Sequence, residues 1–160
     1  VEQNEKSKRC ESCGFEYFLN PSSSVAAFIL NSRGELLVTR RKLDPGRGTL
    51  DLPGGFCDIG ETTEEALARE IEEETHLVIK ERCYFCSLPN KYRYSGLDIP
   101  TLDSFFVCKV EDEAALEAAD DVDEARWLPL DEIHTEQFGL RSIRQALYDF
   151  LQREKENLKK

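Results

Sequence analysis

Residues 52–77 read LPGGFCDIGETTEEALAREIEEETHL, a glycine-rich loop running into an acidic segment. Thr62 followed three residues later by Glu65 is a capping-box signature, and the good helix formers behind it predict a helix from Thr62 or Thr63 to about Thr75. At 3.6 residues per turn Glu70, Glu73 and Glu74 stand at i, i+3 and i+4, within about a 100° arc of one helix face. Leu67 and Ile71, at the edge of that arc, are expected to pack into the body and hold the acidic face beside the loop. An acidic run alone reads as a solvated helix face. Three like charges so close repel and raise one another's pKa, however, and a hard cation resolves the conflict. Oxygen ligands from a few carboxylates, completed by water and substrate phosphates, suit Mg²⁺ or Mn²⁺. Gly54 and Gly55 let the loop backbone approach a substrate closely, and Arg69 supplies a fixed cation that orients a neighbouring carboxylate.

Outward from this unit, Val25–Leu30 and Glu35–Arg41 read as a hairpin joined by Asn31-Ser-Arg-Gly34, and residues 43–60 as a long shaped loop. Past the helix, Leu77–Ser87 and Thr101–Val110 read as strands separated by the polar, aromatic loop Pro89–Pro100. Residues 111–124 form an acidic connector and Ala125–Leu130 a last short strand. Leu140, Ile143, Leu147, Phe150 and Leu151 then put one apolar face on a C-terminal helix. No internal repeat is visible, so strands mixed with two long helices predict one layered α/β or α+β domain.

Gly55, Glu61, Arg69, Glu70, Glu73 and Glu74 at these spacings, with aliphatic Ile71 among them, match by chance about once in 10⁷ start positions at average residue usage. Residues 55–77 resemble the signature box of the Nudix (MutT-like) hydrolases, introduced by Leu52-Pro53-Gly54-Gly55. The resemblance implies an α/β/α sandwich with a mixed β-sheet between helices, spanning residues 24–152. It also implies metal-dependent hydrolysis of a pyrophosphate bond in a nucleoside diphosphate linked to another moiety. Glu70, Glu73 and Glu74 would hold Mg²⁺ or Mn²⁺, with Arg69 beside them. Glu73 inside the box and Glu124 outside it are both candidates for the general base. Candidate substrate-binding residues are Gly54, Gly55, Arg40 and Tyr92. The chain departs from the family pattern at His76, where Gly is usual and a left-handed residue ends the helix; His is among the types that tolerate positive φ. A non-catalytic nucleotide-sensing module on the same fold is the alternative, although a pure binder need not keep a costly cluster of like charges.

The remaining features narrow the partners. With 21 Lys+Arg against 32 Asp+Glu, the formal net charge of −11 argues against a nucleic-acid polymer, which draws on basic patches. A small nucleotide remains open if divalent cations accompany it. The longest apolar run, Val25–Leu30, is far short of the roughly 18 residues that span a bilayer, so no membrane is expected and the protein reads as cytoplasmic. A homodimer is open. The chain begins at Val1 and contains no Met, so an upstream segment is expected. Residues 1–23, with Cys10-x-x-Cys13-Gly14, resemble half of a zinc ribbon; a structural Zn²⁺ needs four ligands and is expected at Cys10 and Cys13 only if an upstream Cys pair exists. Cys83-x-x-Cys86 is a poor partner, because three positions along a strand put its side chains on opposite faces. The Ser-Gln-Pro-Trp segment of NADH pyrophosphatases is absent; residues 87–94 read SLPNKYRY. Asp120–Glu124 lacks the Gly and final Glu of a calcium loop and reads as solvated. Residues 153–160 read as a helical tail.

Overall fold

The computed structural model describes residues 6–118 and 122–157. An N-terminal hairpin pairs β1 (Ser7–Arg9) with β2 (Glu16–Phe18). Next come β3 (Ser22–Ile29), β4 (Leu36–Arg41), β5 (Leu50–Asp51), β6 (Gly54–Phe56) and α1 (Thr63–Thr75). The chain finishes with β7 (Ile79–Tyr94), β8 (Leu97–Val110), β9 (Val122–Leu128) and α2 (Arg141–Asn157). A mixed four-stranded sheet runs β6-β3-β8-β7, and a three-stranded antiparallel sheet runs β5-β4-β9. The α/β/α sandwich is therefore present, with its strands divided between two sheets.

The layering follows from alternation along β3. Val25, Ala27 and Ile29 face α1, where Ala66, Leu67 and Ile71 are fully buried against them. Ala26 and Phe28 face α2, and Phe28 stacks on Phe150 with ring centroids 4.3 Å apart. Leu67 and Ile71 thus anchor the acidic helix as the sequence predicts. Its N-terminus carries the full capping box on Thr62 and Glu65, and His76 closes it at φ 59°, ψ 13°, the left-handed position expected of it.

Several local expectations are corrected. The Asn31–Gly34 turn forms, with Leu30 bridging Leu36, but β3 and β4 then part into different sheets. Because both faces of β3 are buried, its edges are taken by β6 and by a parallel register with β8 from Ser22↔Thr101 to Ile29↔Cys108. The expected 43–60 loop contains β5 and β6. Residues 89–100 are not a loop: β7 and β8 stay paired to Tyr94↔Leu97 around Ser95 and Gly96, both at positive φ. Pro89 and Pro100 are tolerated because β7 is an edge strand and β8 meets β3 only from Thr101 onward. A bulge between Tyr84 and Cys86 sets Cys83 opposite Val107 and Cys86 opposite Phe105, which puts both cysteines on one face rather than opposite faces. The last strand begins at Val122, inside the expected connector. Asp120 and Asp121 lie outside the described residues, as do 158–160, while 153–157 continue α2 without a break. No described helix is long and apolar enough to cross a membrane.

Candidate active site

Two glycines bring the acidic helix against the sheet. Gly54 pairs with Ala26, and a Cβ there would stand 2.1 Å from the Val25 carbonyl oxygen, so only glycine lets β6 lie this close to β3. A Cβ on Gly55 would meet the Glu70 carboxyl carbon at 2.4 Å; the Glu70 carboxylate rests on the bare backbone. Beside it, Glu74 Oε2 accepts the Gly54 N–H at 2.9 Å. Loop and helix are thereby one unit, joined by these carboxylates as well as by Cys57 packed on the cluster that holds Leu67 and Ile71.

Arg69 gathers the other carboxylates. Its Nε and Nη2 donate to the two oxygens of Glu61 at 2.7 and 2.9 Å, and Nη1 donates to Glu70 at 2.9 Å and Glu73 at 3.2 Å. Nη2 also reaches the Phe56 carbonyl at 3.1 Å. The Arg69 hydrogen bonds, followed by the Asp58 N–H, hold Glu61 down to about 2. Arg69 is itself pinned further in its charged form, chiefly by Glu61.

The three box carboxylates do not meet at one point. Glu70 and Glu74 line a cavity of about 340 Å³, whereas Glu73 is 57% exposed on the outer side of Arg69 and lines a shallow depression with Glu72 and His76. Among the described residues no three His, Cys, Asp or Glu side chains stand together as a ready metal-ligand set. The donor set still suits a hard cation: carboxylate oxygens on one helix face, two of them set against glycine backbone at the cavity wall.

Of the other sequence candidates, Tyr92 lines the cavity; its hydroxyl accepts from Arg41 Nη2 at 3.0 Å and its ring meets Phe56 edge to face at 5.4 Å. Arg40 and Glu124 pair with each other across β4 and β9 at 3.1 Å, and Glu124 also meets Arg126. Neither lines the cavity: along β4, Thr39 and Arg41 share the cavity face by strand alternation and Arg40 takes the opposite one. Cys10 and Cys13 sit at the turn of the β1–β2 hairpin, where the Ser12 hydroxyl and then the Cys13 and Ser12 N–H groups lower the Cys10 thiol to about 6.

The sequence reading missed Arg41, Asp51 and Asp103, which form the cavity's far wall. Arg41 Nη1 donates to Asp51 Oδ2 at 2.5 Å, and both are largely buried. Burial raises the Asp51 pKa, the Asp103 charge adds to this, and Arg41 opposes it. Burial works against the charged form of Arg41, but the charge and hydrogen bond of Asp51 outweigh it and raise its pKa. A signal was present at Asp51, a charged residue between Leu50 and Leu52; Asp103, between Leu102 and Ser104, carried none.

Residues 20–150 match the NUDIX domain. Among characterised proteins, an ADP-ribose pyrophosphatase of Methanocaldococcus jannaschii is 42% identical over 66 residues, 41% of this chain and 38% of that protein. The NAD-capped RNA hydrolase NudC of Haemophilus influenzae is 33% identical over 88 residues, 54% of this chain and 33% of that protein. These matches thus span well under half the length of either relative. The crystal structure of a MutT NUDIX hydrolase from Burkholderia pseudomallei superposes with a TM-score of 0.69 at 25% identity, covering 81% of this chain and 97% of that one.

Proposed function

The chain belongs to the Nudix family, and from that premise we propose that it is a pyrophosphohydrolase cleaving a nucleoside diphosphate linked to another moiety. The observation that carries this reading is the seating of Glu70 and Glu74 against Gly54-Gly55 at the wall of an open cavity, with Arg69 tying Glu70 to Glu61 and Glu73. A binding module needs no such concentration of like charge. Glu70, Glu73 and Glu74 would hold Mg²⁺ or Mn²⁺, which when bound offsets phosphate charge and makes water a stronger nucleophile at neutral pH.

The chain's own residues do the positioning. Gly54 lets β6 lie close to β3 and Gly55 seats the Glu70 carboxylate on bare backbone, and Arg69 fixes Glu70 and Glu73 relative to each other through one guanidinium nitrogen. Of the two candidate bases, Glu73 is favoured: it shares Arg69 with the cavity-lining Glu70, whereas Glu124 lies outside the cavity lining and pairs with Arg40 and Arg126. ADP-ribose is the first substrate to try, given the archaeal relative, followed by NADH, nucleotide sugars and nucleoside triphosphates. The Cys10–Cys13 turn is proposed as half of a thiolate zinc site that two further ligands would complete.

The test is a hydrolysis screen over this panel with Mg²⁺ or Mn²⁺, comparing wild type with Glu70→Gln and Glu73→Gln, products separated by chromatography. Metal-dependent turnover lost in the variants is expected. Ligand binding with no turnover across the panel, unaltered by either substitution, overturns the enzyme reading in favour of a sensing module.

A further inference from the structure

Opposite the glutamates the cavity carries two buried carboxylates, one paired with Arg41 and the other held by three hydroxyls. Asp51 and Asp103 are only 8% and 7% exposed, and both line the space that Glu70 and Glu74 face. Asp51 Oδ1 accepts the Leu52 N–H at 2.9 Å and Oδ2 accepts from Arg41. Asp103 Oδ1 accepts from Ser24 and Thr101 at 2.5 and 2.7 Å, and Oδ2 from Ser142 at 2.5 Å. Each carboxylate oxygen takes about two hydrogen bonds. Asp51 therefore keeps acceptor capacity on both oxygens and Asp103 on one, beyond their protein partners.

Resting on the hydrolase reading above, we propose that Asp51 and Asp103 select the substrate by accepting hydrogen bonds from the vicinal hydroxyls of a pentose adjacent to the diphosphate. Two facts favour a sugar over a base at this wall. The cavity of about 340 Å³ holds the glutamates and the aspartates together, so the group at the wall lies next to the phosphates, and in a nucleotide that group is the pentose. The nearby rings do not form a parallel pair to sandwich a base, since Phe56 and Tyr92 meet at 89° and Arg41 lies over the Tyr92 ring at 5.7 Å. With the diphosphate placed beside Glu70 and Glu74 by the hydrolase reading, the diol falls on the Asp51 side. Two adjacent hydroxyls match two adjacent acceptors, and a deoxy sugar would leave a buried carboxylate short of a partner.

Three probes test this: ADP-ribose, its analogue with 2-deoxyribose at the terminal sugar, and its analogue built on 2′-deoxyadenosine. Each is assayed for kcat/KM and, by calorimetry, for binding, with wild type, Asp51→Asn and Asp103→Asn. One deoxy analogue is expected to lose at least tenfold on wild type, which identifies the ribose that is read, and that discrimination should fall below threefold in either variant. The wild-type comparison holds even if a variant fails to fold. Equal kcat/KM for all three on wild type overturns the inference and leaves the hydrolase reading standing. Selective binding with no hydrolysis in either metal supports the acceptor wall and overturns the hydrolase reading, and absence of binding by all three overturns the wall.

Discussion

Gly55→Ala puts the proposed site to a sharp test because it adds a single methyl group. The new Cβ would stand 2.4 Å from the Glu70 carboxyl carbon and 2.5 and 2.6 Å from its oxygens, where ordinary contact begins at 3.4 Å. Gly55 is not at positive φ, so alanine strains no backbone there and the Glu70 carboxylate must retreat instead. The retreat is about 1 Å, a misplacement that costs on the order of 10²-fold where a group must be held in register. Overpacking of about 1–3 kcal/mol lowers the melting temperature by roughly 2–12 °C in a domain of this size, so the protein remains folded. Metal-dependent kcat/KM and thermal melts are measured side by side, with Gly34→Ala as the control. Gly34 has open space around it but φ +75°, so its alanine should cost about 1–2 kcal/mol in stability and leave kcat/KM unchanged. Folded Gly55→Ala retaining more than a third of wild-type kcat/KM would refute the placement of Glu70, and an equal activity loss in Gly34→Ala would show that stability alone is being read.

Other substitutions probe the same architecture. Glu61 is held from its ordinary 4.5 down to about 2, so its contribution to stability is present above pH 4.5 and lost as pH falls through 2; Arg69→Met removes the main cause and should move the Glu61 titration, followed by NMR, back toward 4.5. Arg69→Met should also cut kcat/KM by at least tenfold, since Glu70 and Glu73 lose their common anchor. EDTA should abolish turnover and added Mg²⁺ restore it, with Glu74→Gln raising the Mg²⁺ concentration for half-maximal rate about tenfold. His76→Gly relieves the left-handed strain at the end of α1 and should raise the melting temperature by roughly 2–4 °C without changing activity.

How far the sequence could be read depended on whether the relevant interaction was local. The capping box, the buried pair Leu67 and Ile71 and the left-handed His76 lie within fifteen residues of one another and are found as expected in and around α1, whereas the expected carboxylate face divides, Glu70 and Glu74 lining the cavity and Glu73 turned out. The hairpin assigned to β3 and β4 went wrong because a strand buried on both faces carries no mark of which neighbour it will pair with, and β8 is about eighty residues away. Residues 89–100 looked like a loop because two prolines usually interrupt a sheet, yet each falls where β7 or β8 has an open side.

The same distinction separates the two walls of the cavity. The Glu70 side comes from one continuous segment, so its chemistry was visible as spacing. The Asp51 side is assembled from β4, β5 and β8, three elements distant in the chain, with Arg41 and not Arg40 on the cavity face of β4. No local pattern announces that wall, but a charged residue set among leucines does have to find partners in the fold. Asp51 and Asp103 find theirs in Arg41 and three hydroxyls. Chemistry common to a family can thus sit in a contiguous motif while the residues that choose the substrate are scattered. The deoxy-sugar comparison therefore bears on what the motif itself leaves open.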